Sequence, residues 1–88
     1  KVEYFKIAKA QSGEVGFMLQ AGAFNGVRVG DQFLLSDNPA ILNQGVSKDG
    51  LVGLALAEVE RVNERTATLN QIAGPVLYDL SRYIALPF

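Results

Sequence analysis

Gly26-Val27-Arg28-Val29-Gly30-Asp31-Gln32-Phe33-Leu34-Leu35 reads as a tight turn that feeds directly into a β-strand. Gly26 and Gly30 can take backbone angles that a Cβ penalises. Val27 and Val29 alternate with Arg28, the pattern of a half-buried extended piece. Gly30-Asp31 then reverses the chain, with Asp31 accepting hydrogen bonds from the backbone amides of its own turn. Past the turn, Phe33 and Leu35 share one strand face and enter a core. Gly26, Gly30 and Asp31 are therefore structural turn residues. The stretch points to a β fold built on tight turns and carries no chemistry of its own.

Working outward toward the N-terminus, Val2 to Lys9 reads as a strand, with Glu3, Phe5 and Ile7 on one face and Val2, Tyr4 and Lys6 on the other. Gln11-Ser12-Gly13-Glu14 is a hairpin turn into a second strand, Val15 to Gln20. Phe17 and Leu19 share a face of that strand, and Gly16 marks a bulge or a close backbone approach. Ala21 to Gly26 is a turn region, signed by the Asn25-Gly26 dipeptide.

Toward the C-terminus, Gln32 to Ser36 is the third strand. Asp37-Asn38-Pro39 ends it, because proline cannot donate to a ladder. Asp37 to Gly50 is the longest irregular stretch, and such loops are often functional. Its apolar triplet Ala40-Ile41-Leu42 reads either as a plug packed under the loop or as an exposed partner contact. On the second reading Pro39, Ile41 and Leu42 are the candidate contact residues. Leu51 to Val62 is the fourth strand, with Ala55, Ala57, Val59 and Arg61 on one face and Leu54, Leu56 and Glu58 on the other. Its phase slips near Glu60 and Val62, which predicts a bulge or bend. Asn63-Glu64 turns into a fifth strand, Arg65 to Asn70, with Ala67 and Leu69 inward and Thr66 and Thr68 outward. Gln71 to Pro75 breaks regularity. A short helical turn near Asp79–Arg82 and a closing strand complete the chain. The sum is a mainly β fold: a single domain over 1–88, a small SH3-like or partly open β-barrel of five to six short strands with at most one short helix.

Composition narrows the chemistry. The chain has 88 residues, of which 49% are hydrophobic and 19% charged, the balance of a globular domain. It opens at Lys1 rather than methionine, which points to a processed or excised part of a longer protein. With Cys 0 and His 0, thiolate and Ser–His nucleophiles and the usual zinc ligands are missing from the sequence. No cofactor and no enzyme activity are expected. The net charge of −1 argues against nucleic acid as a partner. No apolar run approaches the roughly 20 residues of a membrane-spanning helix.

Each local candidate for chemistry has a plainer reading. Glu58 and Glu60 read as a solvated strand face opposed by Arg61, Arg65 or lysines across the sheet. Asp37, Asn38 and Asp49 offer oxygen ligands for calcium, but without EF-hand spacing, and turn formation accounts for them. Gly22, Gly26 and Gly30 recur every four residues with no Gly-Lys-Ser/Thr after them, so they are turn glycines, not a phosphate loop. Most of the aromatics (Tyr4, Phe5, Phe17, Phe24, Phe33, Tyr78, Tyr83 and Phe88) are assigned to core or staple packing. The cluster of Tyr4 and Phe5 with Lys1, Lys6 and Lys9 is a minor candidate for an acidic or nucleic-acid surface.

The order of strand, turn, "EVGFMLQAGAFNGVRVGDQFLL", loop and "LVGLALAEVERVNERTATL" resembles the C-terminal domain of the flagellar assembly protein T family. The family pattern "G-L-x-V-G-D-x-F-x-L" is met at Gly26, Val27, Val29, Gly30, Asp31, Phe33 and Leu35. The late strand pair is met at Gly53, Leu54, Leu56, Val59, Val62, Ala67 and Leu69. The likeness covers residues 14–69 and leaves the tail from Gln71 unaccounted for. It implies a non-catalytic periplasmic protein on the outer-membrane side of a Gram-negative envelope. Members of that family build the H ring of the flagellar basal body, so the implied partners are other subunits of a flagellar or envelope assembly, with a homo-oligomeric ring in prospect. Two further readings stand beside it. One is a PDZ-like or SH3-like module binding a peptide by strand addition, of which Gly16-Phe17 is a faint echo. The other is a small barrel that binds nucleic acid.

Overall fold

The computed structural model describes residues 4–9, 16–38 and 55–88. Its strands are β1 (Phe5–Lys9), β2 (Phe17–Leu19), β3 (Gln32–Ser36), β4 (Ala55–Val62), β5 (Ala67–Ala73) and β6 (Ile84–Pro87). They close into an antiparallel barrel in the order β1-β2-β5-β4-β3-β6. Two short 3-10 turns, Ala23–Asn25 and Leu80–Arg82, are the helical elements among the described residues. The expected small β-barrel is what the chain forms. None of the described helices is long and apolar enough to cross a membrane.

Alternation along each strand builds the interior. Ile7, Leu19, Phe33, Leu35, Ala55, Ala57, Val59, Ala67, Leu69 and Ala85 are buried in one cluster. Large and small residues face each other in register: Phe33 pairs with Ala57 and Leu35 with Ala55. Small residues opposite large ones suit the limited width of a small barrel. Phe5 closes one side of the cluster, its ring edge-on to Phe33 with centroids 6.2 Å apart. Leu19, Leu35 and Leu69 are fully buried, and each contributes about 1.5–3 kcal/mol by leaving water. Leu34 and Leu86 pair across the β3–β6 ladder on the outer side of the wall and are buried as well.

Two register shifts shape β4 and β5. One falls between Val59 and Arg61, where the sequence phase slips, and it returns Val62 to face Ala67. It takes Arg61 off the inward face on which simple alternation puts it, and Arg61 is exposed. The other falls between Leu56 and Ala57, where Leu56 pairs with Ala73 and Ala57 with Gln71. Ile72 is the extra residue, and β5 runs on through a segment that the sequence reads as irregular. Gln71 holds the exit: its Nε2 donates to the carbonyls of Ala73 (3.1 Å) and Pro75 (2.7 Å). A side chain turned back on its own backbone supplies the bonds that a turn residue would.

A second correction concerns Val27 to Val29, which is not an extended piece. The Asp31 amide donates to the Arg28 carbonyl at 3.1 Å, and Gly30 has φ +94°. This is a type II turn, which needs a positive φ at its third residue. Val27 is buried and plugs the barrel mouth, while Val29 stands at the corner, 67% exposed.

Candidate functional site

One end of the barrel gathers the starts of β1, β3 and β5 with the ends of β2, β4 and β6. The chain between β2 and β3 folds across it. The Ala23 and Phe24 amides donate to the Asn63 and Glu64 carbonyls at 2.8 and 2.9 Å, pinning the first 3-10 turn onto the β4–β5 connection. Gly22 makes that docking possible: a Cβ there would stand 2.6 Å from the Thr66 nitrogen and 2.8 Å from that of Arg65. Asn25 Oδ1 accepts from the Gly22 amide at 3.1 Å, and Gly26 closes the turn at φ +82°. Farther on, Gly30 donates to the Val59 carbonyl (3.0 Å) and Val59 donates to that of Asp31 (2.8 Å), which ties the second turn to β4.

The structural turn residues sit where the sequence places them. Gly26 and Gly30 both have positive φ with open space where a Cβ would go. Asp31 Oδ2 accepts from the Arg28 amide at 2.9 Å, the self-bonded turn its sequence position predicts. The candidate contact residues Pro39, Ile41 and Leu42 lie outside the described residues.

Rigid turns at this end hold large apolar side chains in water. Phe24 is 71% exposed and Phe88 62%; with Val29 and the exposed Tyr4 they are spaced around the rim. Phe88 is fixed by its amide, which donates to the Gln32 carbonyl at 3.0 Å. A shallow groove lined by Ala23, Val62, Asn63, Glu64 and Arg65 runs beside Phe24. Covering Phe24 or Phe88 with a partner's surface would contribute at most about 1.5–3 kcal/mol of transfer free energy, before the cost of association. The assignment of most aromatics to the core holds for Phe5, Phe17, Phe33 and Tyr83. It fails for Phe24, Tyr78 and Phe88, which are exposed, as is Tyr4 of the basic-aromatic cluster. A signal for Phe24 exists in the chain: it lies between Gly22 and Asn25-Gly26, inside a turn, where a side chain has no strand face to choose.

The polar candidates resolve one by one. Glu58 has Gln32 and Asn70 as its ladder neighbours, both uncharged, instead of the cations that the sequence suggests. Asn38 donates its amide to Ser36 Oγ at 3.1 Å, as part of the turn that ends β3. Among the described residues, no three carboxylates gather as a metal-binding group. Asp79 has its pKa held below the ordinary carboxylate value, first by the Ser81 hydroxyl, which donates to its Oδ1 at 2.6 Å, and last by Arg82. The Arg82 Nε stands 3.2 Å from its other oxygen. Comparison with family models, curated proteins and solved structures finds no match to this chain.

Proposed function

We propose that this chain is a non-catalytic assembly domain of a Gram-negative cell envelope, periplasmic and on the outer-membrane side, acting by protein–protein contact within a flagellar basal-body ring. The observation that carries the contact reading is the rim: Phe24 and Val29 stand mostly in water on turns fixed by backbone hydrogen bonds, and Phe88, next after β6, is exposed beside them with its amide bonded to Gln32. Apolar side chains held out rigidly lose little conformational entropy when a partner covers them. The envelope and ring parts rest on the likeness of the Gly26–Leu35 and Gly53–Leu69 motifs to the flagellar family. In the fold, Val27, Phe33, Leu35, Val59, Ala67 and Leu69 of those motifs are core residues, and Gly26, Gly30 and Asp31 are turn residues. The motifs therefore support a shared barrel more directly than a shared ring.

The test is to tag the protein in its native cell, separate periplasm from cytosol and purify basal bodies. Recovery in the basal-body fraction, lost in a Phe24→Ser/Phe88→Ser double variant that still folds, is the expected result. A cytosolic protein without flagellar partners removes the envelope reading. Undiminished partner recovery by the double variant removes the rim.

A further inference from the structure

Asn25-Gly26 is the one place in the chain where glycine follows an asparagine. Glycine has no side chain to shield its main-chain nitrogen, and its backbone turns freely. In an open chain such a nitrogen, once deprotonated, can reach the carboxamide carbon of the asparagine before it and close a five-membered ring. The pair is therefore chemically labile unless the fold restrains it.

The docked turn restrains both reacting groups. The Gly26 amide donates to the Ala23 carbonyl at 3.0 Å, so its proton is held. Asn25 Oδ1 accepts from the Gly22 amide at 3.1 Å, three residues back, which directs the carboxamide away from the Gly26 nitrogen. The Asn25 and Val27 amides both donate to the Gly22 carbonyl, at 2.9 and 3.2 Å. The Ala23 and Phe24 amides fasten the whole turn to Asn63 and Glu64. Asn25 itself is exposed, so water and hydroxide reach it. Hydrogen bonding, not burial, is what stands between this pair and reaction.

We infer that Asn25-Gly26 is a covalent modification site, a self-cyclising pair that the docked turn keeps closed and that undocking releases. In the reaction the Gly26 nitrogen gives its proton to hydroxide and bonds to Asn25 Cγ, and the carboxamide nitrogen leaves as ammonia. One water then opens the cyclic imide. Opening at Cγ gives aspartate; opening at the main-chain carbonyl gives isoaspartate. Aspartate keeps an oxygen for the Gly22 amide and leaves the turn docked. Isoaspartate adds a methylene to the main chain at residue 25, which draws the Gly26 amide off the Ala23 carbonyl and loosens the turn that carries Phe24. Either product adds a negative charge to a turn bonded to Glu64. The inference stands on the turn alone and does not require that the rim meets a partner.

The test incubates the full chain in mildly alkaline buffer, folded and unfolded in guanidinium, and digests both with trypsin. Cleavage after Lys9 and Arg28 releases the peptide 10–28, in which Asn25 is the one asparagine. Fragment masses place the gain of an amide turned acid on residue 25 rather than on Gln11 or Gln20. The unfolded chain should convert, and the folded chain at least about tenfold more slowly, which corresponds to a bias of about 1.4 kcal/mol toward the closed turn. The Gly26 amide should be protected from hydrogen exchange in the folded chain, because exchange needs the same deprotonated nitrogen. Gly22→Ala displaces the turn and should raise the folded-chain rate toward the unfolded one. Equal rates in folded and unfolded chains overturn the inference. So does an unfolded chain that does not convert, an unprotected Gly26 amide, or a parental rate in Gly22→Ala whose Phe24 and Arg65 resonances have shifted. The first three measurements need no variant and hold where Gly22→Ala does not fold. None of these outcomes touches the partner-contact reading, which is tested separately by Phe24→Ser/Phe88→Ser.

Discussion

Gly16 and the Leu69 carbonyl oxygen stand so close that a Cβ on residue 16 would overlap that oxygen. Gly16 also has φ +103°, a region that side chains rarely enter. Both constraints act where β2 joins β5, at the pair Phe17↔Leu69. Gly16→Ala must either push the strands apart or unbury Leu69. The expected loss is roughly 2–4 kcal/mol in chemical denaturation, drawn from backbone strain and core disruption together. A loss below about 0.5 kcal/mol, the ordinary scatter of surface changes, would show that the contact relaxes freely.

The turn glycines separate into two kinds. Gly26 and Gly30 have positive φ and open surroundings, so alanine meets only the conformational cost of about 1–2 kcal/mol. Gly22 has the opposite problem: the Asn63–Thr66 backbone occupies the space of its Cβ. Gly22→Ala is expected to cost at least as much as Gly30→Ala and, unlike it, to shift the amide resonances of Phe24 and Arg65. Equal costs with unshifted resonances would contradict the tight docking.

Most of the fold is legible in the chain because period-two alternation and turn residues act locally. Phe33 and Leu35, Ala55 to Val59, and Ala67 with Leu69 all face inward as their spacing demands. Gly16 announces its close approach, and the slip at Glu60 announces the first bulge. What escapes is set by distant partners. β5 continues past Asn70 because β4 offers Leu56 and Ala57 beside it, which no local pattern encodes. Val29 leaves the core because Gly30 and Asp31 bond to Val59, far along the chain. The rim is less legible still, since an exposed Phe24 and a buried Phe33 are the same letter, told apart only by the turn around the first.

That distinction is measurable. Phe33 is buried and touches Phe5, so Phe33→Ala is expected to cost about 3–5 kcal/mol. Phe24→Ser and Phe88→Ser remove side chains already in water and should stay within about 0.5 kcal/mol of the parent. Thermal or urea unfolding compares the three. Marked destabilisation by Phe24→Ser would return that residue to the core and take away a principal part of the rim.

Asp31 offers a single-bond test. Among the described residues its carboxylate accepts from the Arg28 amide, an exposed bond. Asp31→Ala should cost about 0.5–1.5 kcal/mol, the net worth of one hydrogen bond. Asp31→Asn keeps an acceptor oxygen and should recover most of that. If both variants match the parent, the turn is held by Gly30 and its bond to Val59 alone.

Acid should loosen the second 3-10 turn before the barrel. The Asp79 carboxyl is held below its usual pKa by the Ser81 hydroxyl bond and, to a smaller degree, by Arg82. A depressed folded-state pKa means that the charged form stabilises the fold. That contribution is fully present above the unfolded value, near 3.8, and is lost as pH falls through the lower folded value. The Ser81 and Arg82 resonances are therefore expected to hold steady down to the ordinary carboxylate range and to move only below it. Tyr83 should follow them, because its amide bond to Leu80 belongs to the same turn. In Asp79→Asn the acid-dependent step should vanish at all three residues while the core resonances stay in place. A midpoint at the ordinary carboxylate value in the parent would show that Ser81 does not hold the charge. Loss of core resonances together with the turn would show that the 79–83 segment and the barrel unfold as one.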